Sequence, residues 1–192
     1  MEWRLDGLEP GDSALRAAER LCRDSPLPCI VTCRDAAEGG LYEGPASWRW
    51  SLYRHVVGLD DPPPYVDIEA AAWLSDPAGA ASLREAMSAR AASGDGERLT
   101  SVVLSLHDFE GRPSDLYRRL QEVVAGGGAD VLKVAWMARS LRDNLEAFEL
   151  LRTRQLPMVV QCMGPFGEMS RVLTGKFGGM WSYAQVDDDA EG

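Results

Sequence analysis

The most reactive candidate in this sequence is a lysine inside an apolar segment. Lys133 stands within the run VLKVAWM, where an ammonium group is costly unless a neighbouring group needs it. A lysine in a desolvated pocket loses the solvation that favours its charged form, so its pKa falls and a nucleophilic amine becomes available near neutral pH. Such an amine forms Schiff bases with carbonyl substrates. On this run alone, an edge strand whose lysine reaches solvent is the simpler interpretation.

Polar side chains that could assist such an amine end other apolar runs. His107 ends one of them and could donate and accept protons. Glu69 ends another and could orient that imidazole, with Asp67 as the competing candidate. Arg34 and Arg171 carry planar guanidinium groups suited to a carboxylate or vicinal hydroxyls. Each has a structural or surface alternative when taken alone, but together they form a reaction centre with assignable roles.

The composition favours a small molecule as the binding partner of this chain. The 192 residues, 45% hydrophobic and 26% charged, suit one globular domain over 1–192. A net charge of −10 argues against a nucleic-acid surface. No apolar stretch reaches membrane-spanning length and no signal segment opens the chain, so we expect neither export nor a membrane partner. The four cysteines lack CxxC spacing, which favours a reduced, cytoplasmic protein without structural zinc.

The elements that must position these residues alternate along the chain. Short apolar runs between helix patterns are typical of βα units around a parallel sheet. The predicted strands are 2–6, 29–34, 65–69, 101–106, 131–137, 158–163 and 181–186. The predicted helices are 12–23, 47–57, 78–92, 114–125, 141–154 and 166–173. Ser114 is a candidate N-cap, and three glycines after residue 125 end the helix that it begins.

Seven such strands predict an α/β fold, a TIM-type (β/α)8 barrel that is one unit short. A Rossmann fold lacks support, because no GxGxxG motif follows the first strand. Alternate residues of a strand share a face, so Asp67 lies with Glu69, Ser105 with His107, and the apolar residues lie on the other face. We expect the polar set to meet at the carboxyl ends of the strands, where barrel enzymes hold their active sites.

An ordered set of short motifs resembles type I 3-dehydroquinate dehydratase. The motifs appear in the family's order with similar spacing and cover nearly the whole chain. They are Thr32-Cys33-Arg34, Glu38-Gly39-Gly40, Val66-Asp67-Ile68-Glu69, Ser105-Leu106-His107-Asp108-Phe109, Leu132-Lys133-Val134-Ala135-Trp136-Met137, Cys162-Met163-Gly164, Ser170-Arg171 and Phe177-Gly178.

The resemblance implies an enzyme of the shikimate pathway that converts 3-dehydroquinate to 3-dehydroshikimate and water, without metal or organic cofactor. Lys133 matches the Schiff-base lysine, His107 the general acid and base, and Glu69 the carboxylate that positions the histidine. The remaining matches implied by the family bind substrate. Arg171 matches the residue that binds the substrate carboxylate, and Met163 matches a position that lines the pocket. The residues that match the group holding the substrate hydroxyls are Glu2, Arg4 and Arg34.

The chain also departs from the family pattern. Family members carry a βα unit before the Glu2 strand, and continue after the last strand into an Ala-Pro-Gly-Gln loop and a closing helix. We therefore expect a barrel without its first βα unit and last helix, with two open sheet edges. Such edges predict a homodimer or another edge-mediated association, and the shortened ends predict reduced activity.

Two other functions compete with an active hydro-lyase. One is a catalytically impaired homologue or barrel fragment that binds a ligand or partner without turnover. The other is a class I aldolase on a similar barrel, which would share Lys133 but would not explain the motifs around His107 and Arg171.

Overall fold

A computed structural model describes residues 1–93 and 100–184 of the chain. Its strands are β1 (Glu2–Arg4), β2 (Ile30–Thr32), β3 (Tyr65–Glu69), β4 (Ser101–Asp108), β5 (Val131–Met137) and β6 (Met158–Met163). Its helices are α1 (Asp12–Arg23), α2 (Ala46–Val57), α3 (Ala70–Ser75), α4 (Pro77–Ala92), α5 (Leu116–Gly126), α6 (Asp143–Thr153) and α7 (Glu168–Val172). Short 3₁₀ helices span Ala36–Glu38, Pro165–Gly167 and Thr174–Phe177.

The chain forms two compact units. The first contains Met1–His107 and Tyr117–Val131, and the second contains Asp108–Leu116 and the chain from Leu132 onward. To within a residue at each boundary, the first unit holds β1 to β4 with α1 to α5, and the second holds β5, β6, α6 and α7. No helix within 1–93 or 100–184 is long and apolar enough to cross a bilayer.

Four parallel strands, in the order β1-β2-β3-β4, form the centre of the first unit. Val31 pairs with Val66, and Val66 pairs with Val102, so apolar side chains line up across the strands. The alternating Thr32 and Asp67 pair in the same way and are also fully buried. Parallel sheets are usually covered on both faces. Here one of the two buried faces is polar, and this face supplies the candidate functional residues.

Helix α2 is tied to two strands of the first unit through one phenol. The Tyr53 hydroxyl donates a hydrogen bond of 2.8 Å to the Asp67 carbonyl oxygen and accepts one of 3.1 Å from the Cys33 backbone N–H. Its side chain is buried, with 1% of the residue exposed. The phenol therefore satisfies two backbone groups that water cannot reach.

In the second unit, β5 and β6 run parallel, with Lys133 opposite Val159. Helix α6 covers them with buried apolar side chains, and its Phe148 ring stacks on Phe177 with ring centroids 4.0 Å apart. Trp136 is fully buried on β5. Apolar packing of this kind holds the strand on which Lys133 lies.

The sequence-based boundaries agree with the structure for β3, β5, β6 and α1, and lie within a few residues for the other predicted elements except one. The prediction of a strand over 181–186 is wrong for its described part, because residues 181–184 have no regular secondary structure, and 185–186 lie outside the described residues. The 3₁₀ helix Ala36–Glu38 and helix α3 were not predicted. Both begin within four residues of a strand end, where apolar periodicity gives no signal.

Asp6 follows β1 and anchors the segment that comes after the first 3₁₀ helix. Its carboxylate accepts hydrogen bonds from Arg4 at 2.7 and 2.8 Å and from the Leu41 backbone N–H at 3.0 Å. Burial alone would raise the pKa of Asp6, but the hydrogen bonds from Arg4 and Leu41 outweigh it and lower the pKa from 3.8 to about 2. The fold is therefore stabilised by the ionised carboxylate.

Replacing Tyr53 with phenylalanine should destabilise the fold by about 1–3 kcal/mol, because two buried backbone groups lose their partner while the apolar volume stays nearly the same. Urea titrations followed by circular dichroism measure this change. The half-exposed Tyr117 provides the matched control, since Tyr117→Phe should change stability by no more than about 0.5 kcal/mol. Equal effects of the two substitutions would contradict the bridging role of Tyr53.

Replacing Asp6 with asparagine should remove a pH-dependent part of the stability. Because the folded pKa is lowered, the carboxylate contributes fully above its ordinary pKa of 3.8, and the contribution is lost as the pH falls towards about 2. The difference in unfolding free energy between wild type and Asp6→Asn should therefore be largest near neutral pH and shrink below about pH 4. A difference that stays constant through this range would refute the stabilising role of the Asp6 charge.

Candidate functional site

A buried arginine organises the polar face of the first unit. Arg34 lies two residues after β2 and is 3% exposed. Its guanidinium donates to Asp67 at 2.7 Å and to the Ser105 hydroxyl at 2.6 Å, and lies 3.3 Å from a Glu69 oxygen. Burial alone would lower the pKa of Arg34, but the charge and hydrogen bond of Asp67 raise it above its ordinary value. The guanidinium is thus a permanent buried cation that joins the ends of β2, β3 and β4.

Glu69 belongs to this network and is held mainly by arginines. One of its oxygens accepts a hydrogen bond of 2.9 Å from the Asp35 backbone N–H, and the other is hydrogen-bonded to Arg49. With Arg34 beside it as well, the carboxylate faces two guanidinium groups. Through these contacts Glu69 anchors the loop after β2.

The carboxylate that contacts His107 is Glu38. His107 Nδ1 lies 3.1 Å from Glu38 Oε2, and the two side chains are 10% and 17% exposed. In the tautomer that carries its proton on Nδ1, the ring donates this hydrogen bond to Glu38, which fixes the orientation of the imidazole. Glu69, the predicted orienting carboxylate, contacts Arg34 and Arg49 in the structure, and the carboxylate beside His107 is that of Glu38. Glu38 was quoted only as part of a motif, and no role was predicted for it.

Local structure explains how Glu38 reaches the histidine. The Asp35 side chain caps the 3₁₀ helix Ala36–Glu38 by accepting a hydrogen bond of 2.9 Å from the Ala37 N–H. Gly39 then ends the helix with φ 76°, a left-handed conformation that glycine adopts without strain. The cap and the glycine turn the chain sharply after β2. In the sequence, Asp35 and the glycine pair after Glu38 are the signals that could have indicated this turn.

The two predicted binding residues on β1 also have partners within the first unit. Glu2 Oε1 accepts a hydrogen bond of 2.7 Å from the Thr32 hydroxyl. Arg4 is paired with Asp6, while 45% of its side chain stays exposed. The structure therefore brings Glu2, Arg4, Arg34, Glu69 and His107 onto the polar side of the first unit.

Lys133 lies in the second unit and is buried, with 7% of the residue exposed. Its Nζ lies 4.3 Å from the centre of the Tyr183 ring, within the range of a cation–π contact. Tyr183 was expected only as part of a strand, and its contact with the lysine was not predicted. In the sequence, nothing but the aromatic residue at position 183 pointed to such a contact.

Arg171 and Met163 are placed by a buried polar pair. Asn144 accepts a hydrogen bond of 3.0 Å from the Ser170 N–H, and the Ser170 hydroxyl donates to the Gly167 carbonyl and accepts from the Cys162 N–H. These bonds fix α7 next to the end of β6. Arg171 is exposed there, as a group that binds a carboxylate from solvent would be, and Met163 at the end of β6 is half-buried.

No three His, Cys, Asp or Glu side chains are grouped as metal ligands within residues 1–93 and 100–184. The predicted site residues comprise a histidine in contact with a carboxylate, a set of arginines and one buried amine.

Comparison with known proteins identifies relatives along the whole chain. The family model described as type I 3-dehydroquinase matches residues 1–192. The 3-dehydroquinate dehydratase of Methanosarcina barkeri is 31% identical over 98% of this chain and 76% of its own length. A bifunctional 3-dehydroquinate dehydratase/shikimate dehydrogenase of Arabidopsis thaliana is 30% identical over 97% of this chain, which spans 29% of that longer protein.

A solved structure supports the same relationship. The 3-dehydroquinate dehydratase of Aquifex aeolicus has a TM-score of 0.72 and 25% identity, over 96% of this chain and 78% of that one. This likeness, together with parallel strands that alternate with helices, confirms the predicted α/β barrel class, and the six strands of the described residues fit a partial barrel. The chain belongs to the type I 3-dehydroquinase family.

Proposed function

We propose that this chain is a hydro-lyase that converts 3-dehydroquinate to 3-dehydroshikimate and water through a Schiff base on Lys133, as a step of the shikimate pathway. The observation that carries the proposal is a buried amine, 7% exposed, on a strand of a chain that matches the type I 3-dehydroquinase model along its whole length. A buried lysine without chemistry is costly, which is why the position favours a catalytic role.

Imine formation accounts for the need for an amine. The free Lys133 amine attacks the substrate ketone, and loss of water from the adduct gives an iminium ion. The positive nitrogen withdraws electrons from the adjacent carbon, so that a C–H proton there becomes acidic. After this proton leaves, the electron pair expels the β-hydroxyl, which is protonated and departs as water. Hydrolysis of the imine releases the enone product and restores the lysine.

Each proton transfer needs one group that both accepts and donates. His107 meets this requirement because an imidazole both accepts and donates protons, and Glu38 holds its ring at Nδ1. We assign it to carbinolamine dehydration, proton abstraction and protonation of the leaving hydroxyl. Glu38, which contacts the histidine and not the reacting atoms in this assignment, is a positioning residue.

The remaining assignments concern substrate binding. Arg171 is exposed and can form two parallel hydrogen bonds with the substrate carboxylate. Glu2, Arg4 and Arg34 are assigned to the substrate hydroxyls, and Met163 to the pocket wall. Glu69 is reassigned from the histidine to the arginines, since Arg34 and Arg49 both face it. Association through strand edges, including a homodimer, stays a prediction from the sequence.

Borohydride reduction in the presence of 3-dehydroquinate tests the Schiff base directly. The chain contains only two lysines, Lys133 and Lys176, so the adduct is easily located. A reduced adduct on Lys133 blocks tryptic cleavage there and yields one peptide covering 120–139. Lys133→Ala also removes the cleavage site, so this variant should yield the peptide 120–139 without the adduct mass, and its kcat should fall on the order of 10⁴-fold. Lys176→Ala, on an exposed residue, should change neither.

The outcomes of this experiment distinguish the functions. Trapping on Lys133 with a rise in enone absorbance supports the hydro-lyase. Stabilisation by 3-dehydroquinate without either signal would mean a binding protein without turnover, and labelling of Lys176 alone would refute the assigned lysine.

Substitution of two carboxylates separates their roles. Glu38→Gln keeps the shape but removes the charge beside His107, so kcat should fall about 10- to 100-fold with little change in KM, a part of the loss expected for His107→Ala. Glu69→Gln leaves Arg34 and Arg49 short of a buried counter-charge and should lower the free energy of unfolding by about 3 kcal/mol. Steady-state kinetics and urea titration of both variants measure the two effects. A larger kcat loss in a stable Glu69→Gln variant than in Glu38→Gln would reverse the assignment.

A further inference from the structure

Two cysteines without a role in the proposed reaction lie side by side in the first unit. Cys22 is in the last turn of α1, and Cys29 directly precedes β2. Although seven positions separate them in the sequence, both line the same cavity and each thiol affects the ionisation of the other. Both are buried, at 8% and 3% exposed, and neither is in a disulfide.

The loop between the two cysteines is held by its own contacts. The Ser25 N–H donates to the Cys22 carbonyl oxygen at 3.4 Å, and the Ser25 hydroxyl donates to the Leu27 carbonyl oxygen at 2.8 Å. Pro26 and Pro28 each restrict the backbone to a narrow range of φ. These contacts and the two prolines restrict the loop, which holds both cysteines at the same cavity.

A cavity gives reagents access to the pair. It has a volume of about 310 Å³, and both cysteines line it together with Ser25, Pro26 and Asp61. This volume is at the lower end of the range for small-molecule pockets, about 300–1,000 Å³. A short, flexible disulfide compound fits such a space, whereas a folded protein does not.

The two thiols differ in reactivity. The Cys22 thiol donates its hydrogen bond to the Cys29 sulfur, which lowers the pKa of Cys29 to about 7 and raises that of Cys22. A substantial fraction of Cys29 is therefore thiolate at neutral pH, and the thiolate is the nucleophile in exchange reactions. Burial raises the pKa of both Cys33 and Cys162 to about 12, so these residues stay protonated and unreactive.

We propose that Cys22 and Cys29 form a dithiol site that exchanges reversibly with small-molecule disulfides and closes to an intrachain disulfide. The Cys29 thiolate attacks one sulfur of a compound RSSR, so that a Cys29–SR bond forms and RS⁻ leaves with the S–S electron pair. Cys22 then gives up its proton, which RS⁻ accepts, and its sulfur attacks the Cys29 sulfur and displaces the second RS⁻, which is protonated by water. In total, two cysteine thiols are oxidised and RSSR is reduced to two RSH.

The disulfide would connect the end of α1 to the start of β2. It closes a short loop, which restricts the unfolded chain, and we expect it to raise Tm by about 5 °C. Excess RSH reverses both steps and returns Tm to its starting value. The site contains none of the residues assigned to dehydration, and it can be tested independently of that activity.

Mapping of the thiols in the wild-type chain tests the proposal. The protein is incubated with 2-hydroxyethyl disulfide at neutral pH, free thiols are alkylated after denaturation, and tryptic peptides are analysed by mass spectrometry. We expect two of the four cysteines to escape alkylation. Because Arg23 separates the pair, the peptide 21–23 should be joined to the peptide 24–34 by a disulfide. Cys33→Ser shows that the partner within 24–34 is Cys29.

Single substitutions supply the matched controls. Cys22→Ser should stop the reaction at a mixed disulfide on Cys29, whereas Cys29→Ser should remove reactivity. Cys33→Ser and Cys162→Ser should react like the wild type. Alkylation of all four cysteines in the treated wild-type chain, or a disulfide that joins any other pair, overturns the proposal even if a variant fails to fold.

Discussion

The buried charge of Arg34 is the constraint on which the first unit depends. A guanidinium that is 3% exposed is tolerated only because Asp67, Glu69 and Ser105 surround it with acceptors. Since these partners come from β3 and β4 while Arg34 follows β2, the carboxyl ends of three strands must keep their register. Loss of any one acidic partner leaves a charge without compensation, which typically costs about 3–5 kcal/mol. The stability of the polar face therefore depends on these buried ion pairs.

The side chains around Glu69 and Glu38 explain why different roles are proposed for these two carboxylates. Glu69 faces Arg34 and Arg49, so its charge is committed to holding cations that never lose their protons. Glu38 faces His107, whose protonation state can change during a reaction. A carboxylate beside a group that titrates can support proton transfer, while one between arginines cannot respond.

Features that depend on local patterns were predictable from the sequence, and those that depend on turns were not. The bounds of β3, β5 and β6 follow from continuous apolar runs. The run around Lys133 alone favoured a lysine that reaches solvent, and only the other candidate residues pointed to the buried position that the structure shows. The contact of Glu38 with His107 requires a 3₁₀ helix ended by a left-handed glycine, which apolar periodicity does not reveal. Nothing in the sequence indicated that Cys22 and Cys29 are neighbours, because they lack CxxC spacing and only the loop between them brings both to one cavity.

Asp35 contacts both Glu69 and the 3₁₀ helix that carries Glu38. Its backbone N–H holds Glu69, and its side chain caps the helix that carries Glu38. Asp35 directly follows Arg34 in the chain, so a shift in the arginine network is expected to reach the helix that carries Glu38 through this residue. We therefore expect substitutions at Glu69 and Glu38 to be epistatic. The residues tolerated at one of these positions should depend on the residue present at the other.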